Sequence, residues 1–338
     1  MKRCFLVFLI LVTSGCSKDL PTPQEPMNDL VEKVAVNLEA PWSIANNSGT
    51  FYITERGGTI LKIDTDGTIT ENDVHLSEPL STVAEAGLMG LVLKNNFAES
   101  NEAFAYYTYD KDGVPINRIV LMQVDGTSWS EKEILLDGIE SGSVHHGGRL
   151  ALSPDGTLYA TIGDGANPDA AQDSDLFNGK IVKLNEDNTF DIFSRGHRNP
   201  QGLAWDEQGV MYASEHGQSA NDEINIIEEG NNYGWPIIEG AETQEGMETP
   251  LLTSGPNETW APSGMAFHNG LLYVGALRGE AILVIDPISG ELVDKIEGFG
   301  RIRDVFSDGN SLYFITNNTD GRGTPSEDDD VLYRLNVK

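Results

Sequence analysis

One pattern recurs six times along this chain and limits what it can become. An apolar segment runs into a short turn, an aromatic-bearing strand follows, and a further strand-like segment ends in another turn. The copies are PWSIANNSGTFYITERGGTILKID from Pro41, GLMGLVLKNNFAESNEAFAYYTYD from Gly87 and GRLALSPDGTLYATIGDG from Gly148. They continue with QGLAWDEQGVMYASEHG from Gln201, SGMAFHNGLLYVGALRGEAILVID from Ser263 and RDVFSDGNSLYFITNN from Arg303. Irregular repeats of this size, each holding several strands, are the signature of a β-propeller, because one sheet alone leaves its faces uncovered. The expected fold is therefore all-β: a six-bladed β-propeller in a single domain over residues 31–338. A β-sandwich accounts for the short strands but not for six copies of one template. Residues 31–38 and 331–337 are both strand-like and are expected to pair, closing the ring.

The start of the chain has a different composition. Lys2 and Arg3 precede an apolar run over residues 5–12, and the small residues Thr13, Ser14 and Gly15 lead into Cys16. This reads as an export signal over residues 1–15. Cleavage of the lipoprotein type would leave Cys16 as a lipidated first residue and place the body on the periplasmic or extracellular face. Plain secretory cleavage is the alternative. Residues 16–30, with Pro21, Pro23 and Pro26, read as a linker. Both cysteines, Cys4 and Cys16, lie in this region, so the body has no cysteine for a disulfide. The formal net charge of -31 argues against nucleic acid as a partner, since phosphate is repelled from most of the surface.

In so acidic a chain the few cationic groups that cluster are informative. His145 and His146 precede the third copy, and His197-Arg198-Asn199 precede the fourth. A histidine placed there points to the channel of a propeller, where imidazole can accept a proton from a hydroxyl. Arg301-Ile302-Arg303 open the sixth copy, and alternation along a strand puts both guanidinium groups on one face. Guanidinium forks match planar carboxylates, so Arg198, Arg301 and Arg303, with Arg278 as a fourth, suggest a pocket for a small polyanion. The competing reading is salt bridging to the plentiful carboxylates. Asp222-Glu223 and Asn231-Asn232-Tyr233-Gly234 offer oxygen donors suited to Ca²⁺, without the spacing of an EF-hand. Nothing in the sequence has the pattern of a zinc site or a nucleotide-binding loop.

The motifs EAGLMG, HHGGRLALSPDGTLYATIGD, GHRNPQGLAW, EHG with DEIN, NYGWP, APSGMAF and RIRDV occur in that order. Together they resemble the family of soluble quinoprotein glucose dehydrogenases and aldose sugar dehydrogenases, over about residues 41–336. The resemblance implies a six-bladed propeller that binds pyrroloquinoline quinone (PQQ), a tricarboxylate orthoquinone, together with Ca²⁺. It implies His145 as general base and Arg198 as the residue stabilising developing negative charge. Arg198, Asn199, Arg278, Arg301 and Arg303 become cofactor contacts, and Glu85 a cofactor or substrate contact. Asp164 is implied beside the substrate, Gly217 and Gln218 as carbonyl ligands of the catalytic Ca²⁺, and Glu223 and Tyr233 in a further calcium site. The implied reaction is oxidation of an aldose at C1 to an aldonolactone, with electrons leaving to an external quinone or cytochrome acceptor. Gln218 stands where the family usually has Pro, Arg278 where many members have Lys, and residues 237–250 show no match. Two other functions compete: a calcium-dependent lactonase on a similar ring, and a non-catalytic binding propeller at the cell surface.

Overall fold

A computed structural model describes residues 31–337. The expected export signal, Cys16 and the linker lie outside them. The described chain is all-β. Its one α-helix, Phe97–Ser100, is a single turn.

Four sheets have four strands each and a fifth has eight. The eight-stranded sheet is two antiparallel four-stranded units joined at their outer edges. Three parallel residue pairs, Asp73 with Ser128, Val74 with Trp129 and His75 with Ser130, make that join. Each copy of the sequence template supplies the first strands of one four-stranded unit. The six first strands are Pro41–Asn47, Leu88–Leu93, Gly147–Leu152, Pro200–Trp205, Pro262–His268 and Ile302–Ser307. Each touches the first strand of the next unit, and the last touches the first, so they line a closed ring.

The chain ends pair as the sequence suggested. Val31–Ala35 lies antiparallel to Leu332–Leu335, with Val31 opposite Leu335, so the N-terminal strand completes the last sheet.

The core is divided among the gaps between neighbouring sheets. Tyr52, Phe97 and Trp129 pack between the first and second units, with the Phe97 and Trp129 rings stacked at 6.1 Å. Ile44, Ile53 and Leu61 meet Ile315 and Leu332 across the seam between the last unit and the first. Each such side chain contributes about 1.5–3 kcal/mol when fully buried, so every unit depends on both neighbours.

The inner strands also carry one polar brace. Asp304, on the sixth first strand, accepts hydrogen bonds from the Ile44 amide of the first unit (2.9 Å) and from Arg149 Nη1 of the third (2.9 Å). The Arg149 guanidinium lies over the Trp42 ring at 4.4 Å. Gly264, on the fifth first strand, has to be glycine here, because a Cβ would collide with Asp304 Oδ1. The brace sits within the ring, and its carboxylate is buried.

Candidate active site

A cavity of about 450 Å³ opens at one end of the ring. Residues leading into five of the six first strands line it: Glu85, His145, Arg198 with Asn199, Ala261 and Arg301. A second cavity, of about 410 Å³, is lined by the far ends of the same strands, including Leu93, Leu152, Trp205, Phe267 and Phe306. The second is largely apolar. The titratable groups gather at the first.

His145 is held in a left-handed backbone conformation, φ 65°. Its amide donates to Glu85 Oε2 (3.1 Å), and Gly163 lies so close beneath that a Cβ there would collide with the His145 carbonyl. The ring Nδ1 lies 2.8 Å from Asp164 Oδ1. Asp164 is wholly buried, and its other contacts are both donors. The Ala166 amide reaches Oδ1 and Trp235 Nε1 reaches Oδ2, at 2.8 and 2.9 Å. A carboxylate so surrounded is an acceptor, so Nδ1 carries the proton and Nε2 keeps its lone pair. That leaves His145, whose side chain is 17% exposed, as a proton acceptor on the cavity wall. Asp164, expected beside the substrate, lies buried behind His145 and orients its ring. His146 turns away into the interior, its ring between Ser141 Oγ (3.0 Å) and the Ala84 carbonyl, and burial lowers its pKa.

Glu85 faces the cavity as an anion. Burial resists its ionisation, but the Arg322 guanidinium at 2.7 Å and the His145 amide outweigh it and hold the pKa at about 2. Arg322, in Gly321-Arg322-Gly323, was not anticipated from sequence. An isolated arginine between glycines late in the chain was the available signal.

Arg198 lines the cavity beside Asn199, whose Oδ1 accepts from the Gly147 amide (3.0 Å). The Arg198 amide donates to Glu215, and its Nη1 reaches the His216 carbonyl at 3.3 Å. Its Nε is buried with no partner. Arg301 also lines the cavity but is already paired, with Nη2 on Asp320 Oδ2 at 2.8 Å and Nη1 on the Leu277 carbonyl at 3.2 Å. Arg303 lies outside the cavity wall, one strand step deeper, on Gln201 Oε1 at 2.9 Å and 4.0 Å from Asp320. Burial lowers its pKa to about 9, with Asp320 pulling the other way. The arginine pair does share one face, and Asp320, which the sequence reading missed, sits between the two heads. Arg278 is exposed at the rim, its side chain without a hydrogen bond among the described residues.

Gly217 and Gln218 line the cavity with their amides tied down, to Asp222 Oδ1 (2.9 Å) and Glu239 Oε1 (2.7 Å). Asp222 Oδ2 accepts from Thr259 Oγ1 and the amides of Trp260 and Ala261, so this carboxylate folds the rim. Glu223 and Tyr233 are absent from the cavity wall. Glu223 accepts from the Gly240 amide and Asn225 Nδ2, and burial, then the nearby Glu215 charge, raises its pKa to about 8. The Tyr233 hydroxyl donates to the Ile226 carbonyl (2.7 Å) and accepts from the Glu228 amide (2.9 Å), so the phenol is a core group with both roles taken. Among the described residues no three His, Cys, Asp or Glu side chains converge as a metal site. His216, also missed, borders the cavity with Nε2 enclosed and unpartnered, and burial pushes its pKa down to about 4.

The fold and site together define an all-β ring with a carboxylate-oriented histidine and a set of arginines around one mouth. The chain belongs to the Glucose / Sorbosone dehydrogenase family, whose profile matches residues 38–333. It is 30% identical to the aldose sugar dehydrogenase YliI of Escherichia coli, over 94% of this chain and 96% of that one. It is 30% identical to quinoprotein glucose dehydrogenase B of Acinetobacter calcoaceticus, over 76% of this chain and 64% of the relative. The solved PQQ-bound aldose sugar dehydrogenase of Streptomyces coelicolor superimposes with a TM-score of 0.84 at 34% identity, covering 91% of this chain and 97% of that one.

Proposed function

We propose that this protein is a PQQ-dependent aldose sugar dehydrogenase, oxidising the C1 hydroxyl of an aldose to an aldonolactone. The observation that carries the reading is the His145–Asp164 pair opening on an arginine-lined cavity. That cavity fits a tricarboxylate. Arg278 and Arg322 stand exposed at its rim, Arg198 and Asn199 line its wall, and Arg198 retains a buried donor with no partner. Arg301 adds positive charge although Asp320 already engages it, and Arg303 supports from below.

When bound, PQQ supplies the acceptor for the C1 hydride. The rest is done by the chain. His145 Nε2 takes the proton of the anomeric hydroxyl, and Asp164 steadies the imidazolium that results. Arg198 faces the charge that develops on the acceptor side of the cavity. Gly217 and Gln218, whose amides are held by carboxylates, would hold a Ca²⁺ through their carbonyl oxygens, and the ion would supply Lewis-acid chemistry there. An external quinone or cytochrome removes the electrons.

The ring is read as a six-bladed propeller spanning residues 31–338, supported by six first strands in closed contact. Export and anchoring through Cys16 are read from the sequence of residues 1–16.

The test is to add PQQ and Ca²⁺ to purified apoprotein and follow dye reduction with a panel of aldoses. Turnover and a PQQ-dependent rise in melting temperature are expected. The absence of both would sink the proposal. Incorporation of labelled fatty acid by wild type but not by Cys16→Ser tests the anchor.

A further inference from the structure

Trp235 touches both halves of the site. Its indole Nε1 donates to Asp164 Oδ2 at 2.9 Å, and its ring lies under the Arg198 guanidinium at 5.4 Å from the centroid. We propose that Trp235 is a positioning residue for the oxidation: its N–H fixes Asp164, and through it the tautomer and aim of His145, while its ring face supports Arg198. This rests on the sugar dehydrogenase reading of the site.

The hydrogen-bond accounting favours this role over that of a passive wall. Asp164 Oδ1 has two donors, His145 Nδ1 and the Ala166 amide, but Oδ2 has only Trp235. Without the indole, a wholly buried carboxylate oxygen is left with no donor, and the carboxylate is free to rotate away from His145. Arg198 is likewise thinly held. Its Nε has no partner and its Nη1 makes one long bond, so the aromatic face is the main remaining restraint on its head. The indole itself is fixed. Its own amide donates to the Gly196 carbonyl (3.0 Å), and its carbonyl accepts from Gln172 Nε2 (2.7 Å). Those bonds tie Trp235 to the segment that presents Arg198.

The two contacts separate by substitution. Trp235→Phe keeps the ring face and removes the donor, whereas Trp235→Leu removes both. With PQQ bound, Trp235→Phe is expected to lower kcat roughly tenfold while leaving KM for the aldose and the affinity for PQQ near wild type. Trp235→Leu is expected to weaken PQQ binding severalfold as well.

A second readout needs neither PQQ nor sugar. Imidazole ¹⁵N NMR of the apoprotein is expected to find His145 protonated at Nδ1 when neutral. In Trp235→Phe that preference for Nδ1–H should weaken, because the carboxylate that fixes it has lost its own anchor.

A Trp235→Phe enzyme with wild-type kcat and wild-type His145 tautomer overturns the proposal. So does a rise in KM alone, which would make Trp235 a substrate wall. Should the variant not fold, wild-type apoprotein with the Nε2–H tautomer at His145 overturns it equally, and the Nδ1–H tautomer with an exchange-protected Trp235 indole proton upholds it. Failure of wild type to oxidise any aldose would defeat the dehydrogenase reading while leaving the NMR result standing, so the two failures are distinguishable.

Discussion

Two histidine–carboxylate pairs stand just ahead of first strands in this ring, and only one opens on the cavity at its mouth. His145 and His197 each lie just ahead of a first strand, with Nδ1 at 2.8 Å from Asp164 and 2.9 Å from Glu215. His197 is the more complete by connectivity. Its Nε2 lies 2.8 Å from Ser194 Oγ, so serine, histidine and glutamate are joined as in a hydrolase triad. Yet His197 is wholly buried, Ser194 nearly so, and the Tyr233 ring stacks on the imidazole at 4.8 Å. Neither lines the cavity that His145 faces. Glu215 instead spends its second oxygen on the Arg198 amide, so this pair serves as scaffolding for a cavity residue. The lesson is that a bonded histidine and carboxylate become chemistry only where Nε2 is free and a substrate can arrive.

The contrast can be broken from either side. The largest effect is expected from His145→Ala, which should cut turnover about 10³-fold while preserving the PQQ-induced thermal shift. Normal turnover in that variant would move the base elsewhere. His197→Ala should do the reverse, lowering stability by about 3 kcal/mol in denaturant titrations with less than a tenfold change in kcat. Loss of turnover at unchanged stability would make the buried pair catalytic after all.

A third carboxylate sharpens the point, because Glu55 is buried and the charges that shift it are other carboxylates. Burial, then the negative charges of Glu39, Glu71 and Asp330, raises its pKa to about 7, although the Glu39 amide donates to it at 2.6 Å. A carboxyl whose folded pKa is raised contributes stability that is complete below its unfolded pKa and lost as pH rises through about 7. Glu55→Gln should remove that loss, leaving the variant about 2 kcal/mol better off relative to wild type at pH 8 than at pH 4.5. Parallel melting curves for the two proteins across this range would refute it. The smallest effect belongs to Arg278→Ala. An exposed, unpaired rim arginine should contribute about 1 kcal/mol to PQQ affinity, read as a roughly fivefold weaker binding curve. A larger loss there than for Arg301→Ala would mean that the rim, and not the wall, holds the anion.

Much of the fold was legible because β-structure here is written locally, in strands of alternating or continuous apolar residues cut by turns. The pairing of residues 31–35 with 332–335 was readable for the same reason. The cavity histidine was legible too, as a histidine beside a turn before a strand. Its orienting partner was not, since Asp164 reaches His145 only through the bend at Gly163, and Trp235 arrives from the following unit. For the arginines the sequence left an anion pocket and salt bridging to carboxylates side by side. Asp320, distant in sequence and brought in by the last loop, shows that Arg301 and Arg303 are partly neutralised before any ligand arrives. The residues expected to hold calcium blur for a related reason: Tyr233 offers an oxygen, but the fold commits its hydroxyl elsewhere.

The Asp304 brace has a consequence for how the molecule comes apart. Arrays of repeats whose members touch only their neighbours can fray from an end, losing one member at a time. Here a single enclosed carboxylate ties the first, third and sixth units together across the middle of the ring. Opening any one of them strands a charge in a low-dielectric interior, a penalty of several kcal/mol. Partial opening is thereby discouraged, and the protein should melt in one cooperative step, with the Ile44 amide among the last to exchange with solvent.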